Sequence, residues 1–183
     1  MVTRTKPAGQ RRSELLDAAE ALVRRDGADA FTVDDVTSGA GVAKGTFYLH
    51  FANKTELLHA LRDRFVRRFA DAQLAAAGQA SGAERVERWM RTGVAEYLRE
   101  LRLHDVLFHP AGGVERDAPN VAVDALAGLL AELDPPVADP TVTAVILYSA
   151  MHGATDHIVH RPEDEQRVLD GLTRLCRALV PAS

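Results

Sequence analysis

The chain has 183 residues, 46% of them hydrophobic and 26% charged, with a formal net charge of −4. That length and apolar share suit one sizeable core, or a small domain joined to a larger one, and exclude disorder beyond the ends. A single cysteine, Cys176, excludes an internal disulfide; with no signal-like leader and no apolar run of membrane-spanning length, a cytoplasmic protein with no membrane partner is expected.

The charge is uneven along the chain. Residues 1–54 hold 8 basic and 7 acidic side chains, net +1, against 14 and 19 in the remainder, net −5. Arg4, Lys6, Arg11 and Arg12 open the chain without an acid among them. They form either a mobile arm that adds phosphate or minor-groove contacts or a plain solvated tail. Leu15, Leu16, Ala19, Leu22 and Val23 then make one stripe at helical spacing, so a first helix is predicted from about Gln10 to Arg25.

Thr32 to Phe51 reads as two short helices about a glycine turn, the layout of a helix-turn-helix. The Thr32 hydroxyl suits an orphan amide of the first turn and Asp35, three residues on, can return the bond. Gly39-Ala40-Gly41 ends that helix, Gly41 being able to take positive φ. Val42 fills the angle, and Ala43 to Leu49 is the second helix, led by Lys44, Gly45 and Thr46. Lys44 brings charge to phosphate or a guanine edge, Gly45 lets backbone come close, Thr46 and Tyr48 offer hydroxyls, and Phe47 turns inward. Asn53 with Glu56 is a second capping pair, with the Lys54 charge at the start of a third helix, an end that favours a phosphate.

Ala40-Gly41-Val42, Lys44-Gly45-Thr46-Phe47-Tyr48 and Phe51-Ala52-Asn53-Lys54-Thr55-Glu56-Leu57-Leu58 resemble the N-terminal DNA-binding region of the tetracycline-repressor (TetR) family. The likeness covers residues 10 to 60 directly and the rest in length and helical character. It implies a homodimeric transcriptional regulator, usually a repressor, whose Thr32, Ala43, Lys44, Gly45, Thr46, Tyr48, His50 and Lys54 meet a palindromic double-stranded operator. A small apolar or amphipathic effector would release it. Two departures stand out: Ala43, where the family often places a capping serine, and Gly39 inside a helical turn, which costs about 0.5–1 kcal/mol relative to alanine.

Beyond the head (residues 1–54), a body over 55–183 reads as helical throughout, so the whole is expected to be all-α, a three-helix head on a ligand-binding and dimerisation body, about nine helices in all. Leu57, Leu58, Leu61, Phe65 and Phe69 share a face. Ser81 and Glu84 spell a capping box ahead of an amphipathic stretch, Val86, Trp89, Met90, Gly93, Val94, Tyr97, Leu98 and Leu101. A breaker-rich loop, Pro110 to Pro119, precedes a helix near Asn120–Leu133, and Asp139-Pro140 reads as an N-cap followed by proline at the first helical position.

From Thr141 to Met151 nearly every residue is apolar or small, so cover on several sides is expected. Val168, Leu172, Leu175 and Leu179 form a seam on the last helix, within which Cys176 is a small apolar residue. With Val145, Ser149 and Gly153 that seam would join two copies in a four-helix interface, or else finish one chain's core.

Trp89, Met90, Tyr97, His104, Phe108, Tyr148, Met151 and His152 are the candidate lining of an effector pocket, against the plainer reading of core stripes. His152, Asp156 and His160, at four-residue steps, open an alternative as a metal-responsive site, though no Cys or HExxH pattern supports it. No nucleophile elbow, phosphate loop or paired-carboxylate pattern is visible, so no enzyme, catalytic residue, metal or cofactor is expected.

Overall fold

The computed structural model describes residues 8–108 and 120–180; the Pro110–Pro119 loop and the arm residues Arg4 and Lys6 lie outside them. Among the described residues there are nine α-helices and no strand, as an all-α chain requires. They fall into two compact units, one drawn from Met1–Phe65 and Arg102–Val114, the other from Val66–Leu101 and Glu115–Ser183.

In the first unit, α1 (Ala8–Asp26) buries Leu15, Leu16, Ala19, Leu22 and Val23, the face its 3.6-residue spacing marks out. It begins before Arg11 and Arg12, so these two belong to a helix and not to an arm. Arg12 lies over the Phe51 ring, 5.1 Å from its centroid. α2 (Val33–Gly39) and α3 (Lys44–Tyr48) follow. A Cβ on Gly39 would stand 3.3 Å from the Ala18 Cβ, so the residue that costs helix propensity is the one that lets α2 come close to α1.

α4 (Lys54–Ala77) is tied to α1 by Arg64, whose guanidinium donates to Asp17 at 2.6 Å, Glu20 at 2.7 Å and the Leu16 carbonyl at 3.1 Å. Glu20 is mostly shielded from solvent, which makes this pair stronger than an exposed one. Arg64→Met is therefore expected to cost about 2 kcal/mol, because Glu20, which also pairs with Arg24, and the Leu16 carbonyl would each lose a charged donor. In a chain of this size that lowers the melting temperature by about 4–8 °C, and an unchanged melt would rule the clamp out.

Within the second unit, α5 (Gly82–Arg99), α7 (Val121–Ala131), α8 (Pro140–His160) and α9 (Glu165–Leu179) surround one core, with α8 against α5, α7 and α9. Trp89, Met90, Leu126, Leu130, Ala144, Leu147 and Cys176 are fully buried there. Burial pushes the Cys176 thiol up to about 12, so it stays protonated and acts as the small apolar residue expected of it. The Asn120 and Asp139 side chains cap α7 and α8 through the Val123 and Val142 amides, and Pro140 occupies the first turn of α8 as its sequence predicts.

Two expectations are corrected. Ser81 precedes α5 but makes no side-chain cap: Gly82 enters the helix at φ +52°, and Glu84 pairs forward with Arg88 at 2.8 Å instead of reaching back. The amphipathic stretch does not run unbroken to Leu101, since α5 stops at Arg99 and α6 (Leu101–Phe108) is a separate helix. On α8, Ala144, Leu147, Met151, Thr155 and Ile158 face the core, whereas Val142, Val145 and Ile146 are about half exposed, so one chain alone does not give the cover on several sides that the sequence predicts.

Candidate nucleic-acid interface

The α2–turn–α3 segment is built by local hydrogen bonds that the sequence spells out. Thr32 Oγ1 accepts from the Asp35 amide at 3.3 Å, and the Asp35 carboxylate accepts from the Thr32 amide at 2.8 Å and the Thr32 hydroxyl at 2.7 Å. Both halves of the capping box are thus present, and the Thr32 hydroxyl is occupied by it. At the far end Gly41 sits at φ +64°, a left-handed conformation that L side chains rarely adopt, and the Val42 amide closes the turn on the Thr37 carbonyl at 3.0 Å.

That box makes a pH prediction. The Thr32 side-chain hydrogen bond, then its backbone one, hold the Asp35 carboxyl below its ordinary value. A depressed pKa adds stability that is present above the unfolded carboxyl's pKa and is lost as pH falls through the folded value. The melting temperatures of the native protein and Asp35→Asn are accordingly expected to differ at neutral pH and to converge in acid. A gap that does not change with pH would mean that the carboxylate is not the capping group.

α3 covers Lys44–Tyr48, with Ala43 as an N-cap that makes no side-chain bond and Leu49 as the C-cap. The helix is one residue shorter at each end than the sequence predicts. Phe47 is fully buried, its ring 5.7 Å from that of Phe51, and it anchors the short helix to the unit. The opposite side is open. Lys44, Gly45, Tyr48 and Leu49 are exposed, Tyr48 standing edge-on to Phe47 at 5.3 Å, while Thr46 and His50 are half-buried. Lys44 Nζ lies 2.9 Å from Asp34 Oδ1, and the hydrogen bond to Asp34 raises its pKa, so it remains an ammonium ion. An exposed pair of this kind is weak enough for a phosphate to take Asp34's place.

Glu56 donates its amide to Asn53 Oδ1 at 2.9 Å, as the pairing predicts, but its carboxylate reaches one residue further back, to the Ala52 amide at 2.6 Å. Lys54 turns inward. Its ammonium donates to the Phe31 carbonyl at 2.5 Å and the Asp29 carbonyl at 3.3 Å and lies over the Phe31 ring at 4.1 Å. A lysine so held ties the start of α4 to the segment ahead of α2. Nothing in the local sequence signals this, because the partners are 23 and 25 residues away.

The candidate effector lining does not gather as one set. Trp89, Met90 and Met151 are buried in the core of the second unit. Tyr97, Tyr148 and His152 are half-buried in the same unit, with His152 4.4 Å from the Tyr148 ring and 6.0 Å from the Tyr97 ring. His104 and Phe108 belong to the first unit, where their rings stack at 4.6 Å beside Phe65.

The metal alternative is corrected as well. Among the described residues no three metal-ligating side chains come together. His152 lies among the tyrosines, His160 Nδ1 bonds the Asp156 carbonyl at 2.9 Å, and His157 pairs with Asp164 at 3.0 Å. Of the expected dimer seam, Leu172 is buried in its own chain's core; Val168, Leu175 and Leu179 are half-buried, and Val145, Ser149 and Gly153 are exposed.

The family model described as bacterial regulatory proteins, tetR family, matches residues 15–61, and one described as tetracyclin repressor-like, C-terminal domain, matches residues 81–179. Over 67 residues the chain is 43% identical to the HTH-type transcriptional repressor KstR2 of Mycobacterium tuberculosis, covering 35% of this chain and 32% of that protein. The match therefore spans about a third of that relative's length. A TetR-family transcriptional regulator from Pectobacterium atrosepticum shares the fold with a TM-score of 0.72 at 23% identity, over 98% of this chain and 99% of that one. The SmeT protein in a triclosan complex shares it with a TM-score of 0.62 at 21% identity, over 95% and 93%.

Proposed function

The chain belongs to the TetR family of bacterial regulatory proteins, and we propose that it is a homodimeric transcriptional repressor that leaves its operator when a small effector binds. The observation that carries the reading is the open side of α3: Lys44, Gly45 and Tyr48 are exposed on a helix that Phe47 pins from behind. Lys44 and Tyr48 meet phosphates, Gly45 admits the duplex, and Thr46 and His50 reach base edges at the groove. Thr32 and Lys54 act by holding α2 and α4 in place, and Ala43, as the N-cap, leaves its first amides to a phosphate.

Two copies place their recognition helices in major grooves about 34–36 Å apart, which requires a twofold-symmetric operator. The half-exposed Val142, Val145 and Ile146 of α8, with Ser149, Gly153 and the Val168, Leu175 and Leu179 side of α9, are the surface a second copy covers. Tyr97, Tyr148 and His152 give an effector an aromatic lining with polar tips. An effector releases the operator only by binding the DNA-incompetent state better, a population shift. The protein acts in the cytoplasm and by binding alone.

The test is a gel shift on the promoter DNA beside its own gene, with sedimentation to fix the stoichiometry. Binding as a dimer is expected, with affinity falling about 10³-fold or more between 50 and 200 mM salt. Triclosan, the compound held by SmeT, is a first probe for release. A protein that stays monomeric and prefers no duplex at low salt would end the proposal.

A further inference from the structure

We propose that Leu49 reads the methyl group of a thymine in the major groove, so that one base in each operator half-site is chosen by apolar contact. This rests on the operator-binding proposal above. Leu49 is 81% exposed, more than any other large hydrophobic side chain among the described residues. The local fold does not ask for leucine there, since the C-cap is closed by the backbone, Leu49 N–H donating to the Thr46 carbonyl at 3.3 Å. A single exposed leucine is ordinary, and its position is what gives this one a task.

Leu49 follows Gly45 by four residues and adjoins Tyr48, so all three share the open side of α3. Cα–Cβ bonds in a helix tilt toward its N-terminus, which leans the Leu49 side chain over the turn where Gly45 leaves space. A Cβ at Gly45 would meet nothing within 4 Å, so that space is open to a base edge.

The composition of the segment narrows the choice further. Lys44-Gly45-Thr46-Phe47-Tyr48-Leu49-His50 contains no Arg, Asn, Gln, Asp or Glu, so its hydrogen-bonding readers of a base edge are Lys44, which is paired with Asp34, and the half-buried Thr46 and His50. Lys44 and Tyr48 are suited to the backbone. The apolar feature of the major-groove edge is the C5 methyl of thymine, and a leucine is the side chain in this segment whose exposed surface is wholly apolar.

The experiment selects duplexes from a randomised pool with the full-length protein, then replaces each dT of the winning duplex by dU, which removes the methyl and keeps the hydrogen-bonding groups. One thymine per half-site is expected to stand out. Its replacement should weaken binding about fourfold in one half-site and about fifteenfold in both, the value of one buried methyl in each. Leu49→Ala should keep its melting temperature, bind the dT duplex more weakly, and no longer distinguish dT from dU. Equal binding of the native protein to every dU duplex overturns the inference. So does a dU penalty that persists in Leu49→Ala, which would assign the methyl to Thr46. If no duplex is enriched, the operator-binding proposal itself falls, and this inference with it.

Discussion

Gly45→Val is expected to weaken operator binding more than 100-fold while leaving the fold intact. The two halves of that result come from separate physics. Inside the chain, a Cβ at residue 45 meets nothing within 4 Å, and the residue lies on an exposed helical face with ordinary φ. Glycine in a helix costs about 0.5–1 kcal/mol relative to alanine, so Gly45→Ala should melt slightly higher than the native protein, and valine should melt no lower. Against DNA the sign reverses. The branched side chain holds the leading turn of α3 off the duplex, moving Lys44, Thr46 and Tyr48 out of hydrogen-bonding reach in both half-sites at once. A gain in stability beside a loss of affinity is hard to obtain from a merely structural glycine. Thermal melts and fluorescence anisotropy on the same preparations read both, and native affinity in Gly45→Val would remove α3 from the interface.

What the sequence discloses of this fold has a short range. Thr32 with Asp35, Gly41 in its turn, and Asp139 with Pro140 each act on partners within about four residues, and the structure places each as its spacing predicts. Ser81 with Glu84 carries the same signature and fails, because Gly82 supplies an entry at positive φ and Arg88 offers the glutamate a better partner. Side-chain destinations further along the chain were not legible. Charge alone does not tell that Lys54 will be caught by the Phe31 and Asp29 carbonyls while Lys44 stays at the surface. Periodicity has the same limit in the body. It marks Trp89 and Tyr97 as one stripe and Leu172 and Leu175 as one seam, but only the packed neighbours decide that Trp89 and Leu172 are buried while Tyr97 and Leu175 are half-open.

Gly93 shows the same dependence on neighbours, and substituting it should give a large loss of stability. The residue is buried on α5, and an added Cβ would stand 2.3 Å from Met151 Sδ and 2.4 Å from Gln73 Nε2. The thioether can swing aside at modest cost, because methionine adapts its shape readily. The amide is less free. Gln73 is almost fully buried and its Nε2 donates to the Trp89 carbonyl at 3.2 Å, so making room for a methyl strips a buried donor of its partner. Overpacking at about 1–3 kcal/mol, with a similar amount for the unpaired amide, outweighs the roughly 1 kcal/mol that alanine gains in helix propensity. Gly93→Ala is expected to lose about 2–3 kcal/mol net, a fall of about 4–12 °C in melting temperature, and Gly93→Val more. Met151→Ala in the Gly93→Ala background should cost less than the sum of the two single changes, since the shortened side chain vacates part of the clash. If Gly93→Ala melts with the native protein or above it, propensity has won, and the close approach of α5 to Met151 and Gln73 is not what fixes a glycine at this position.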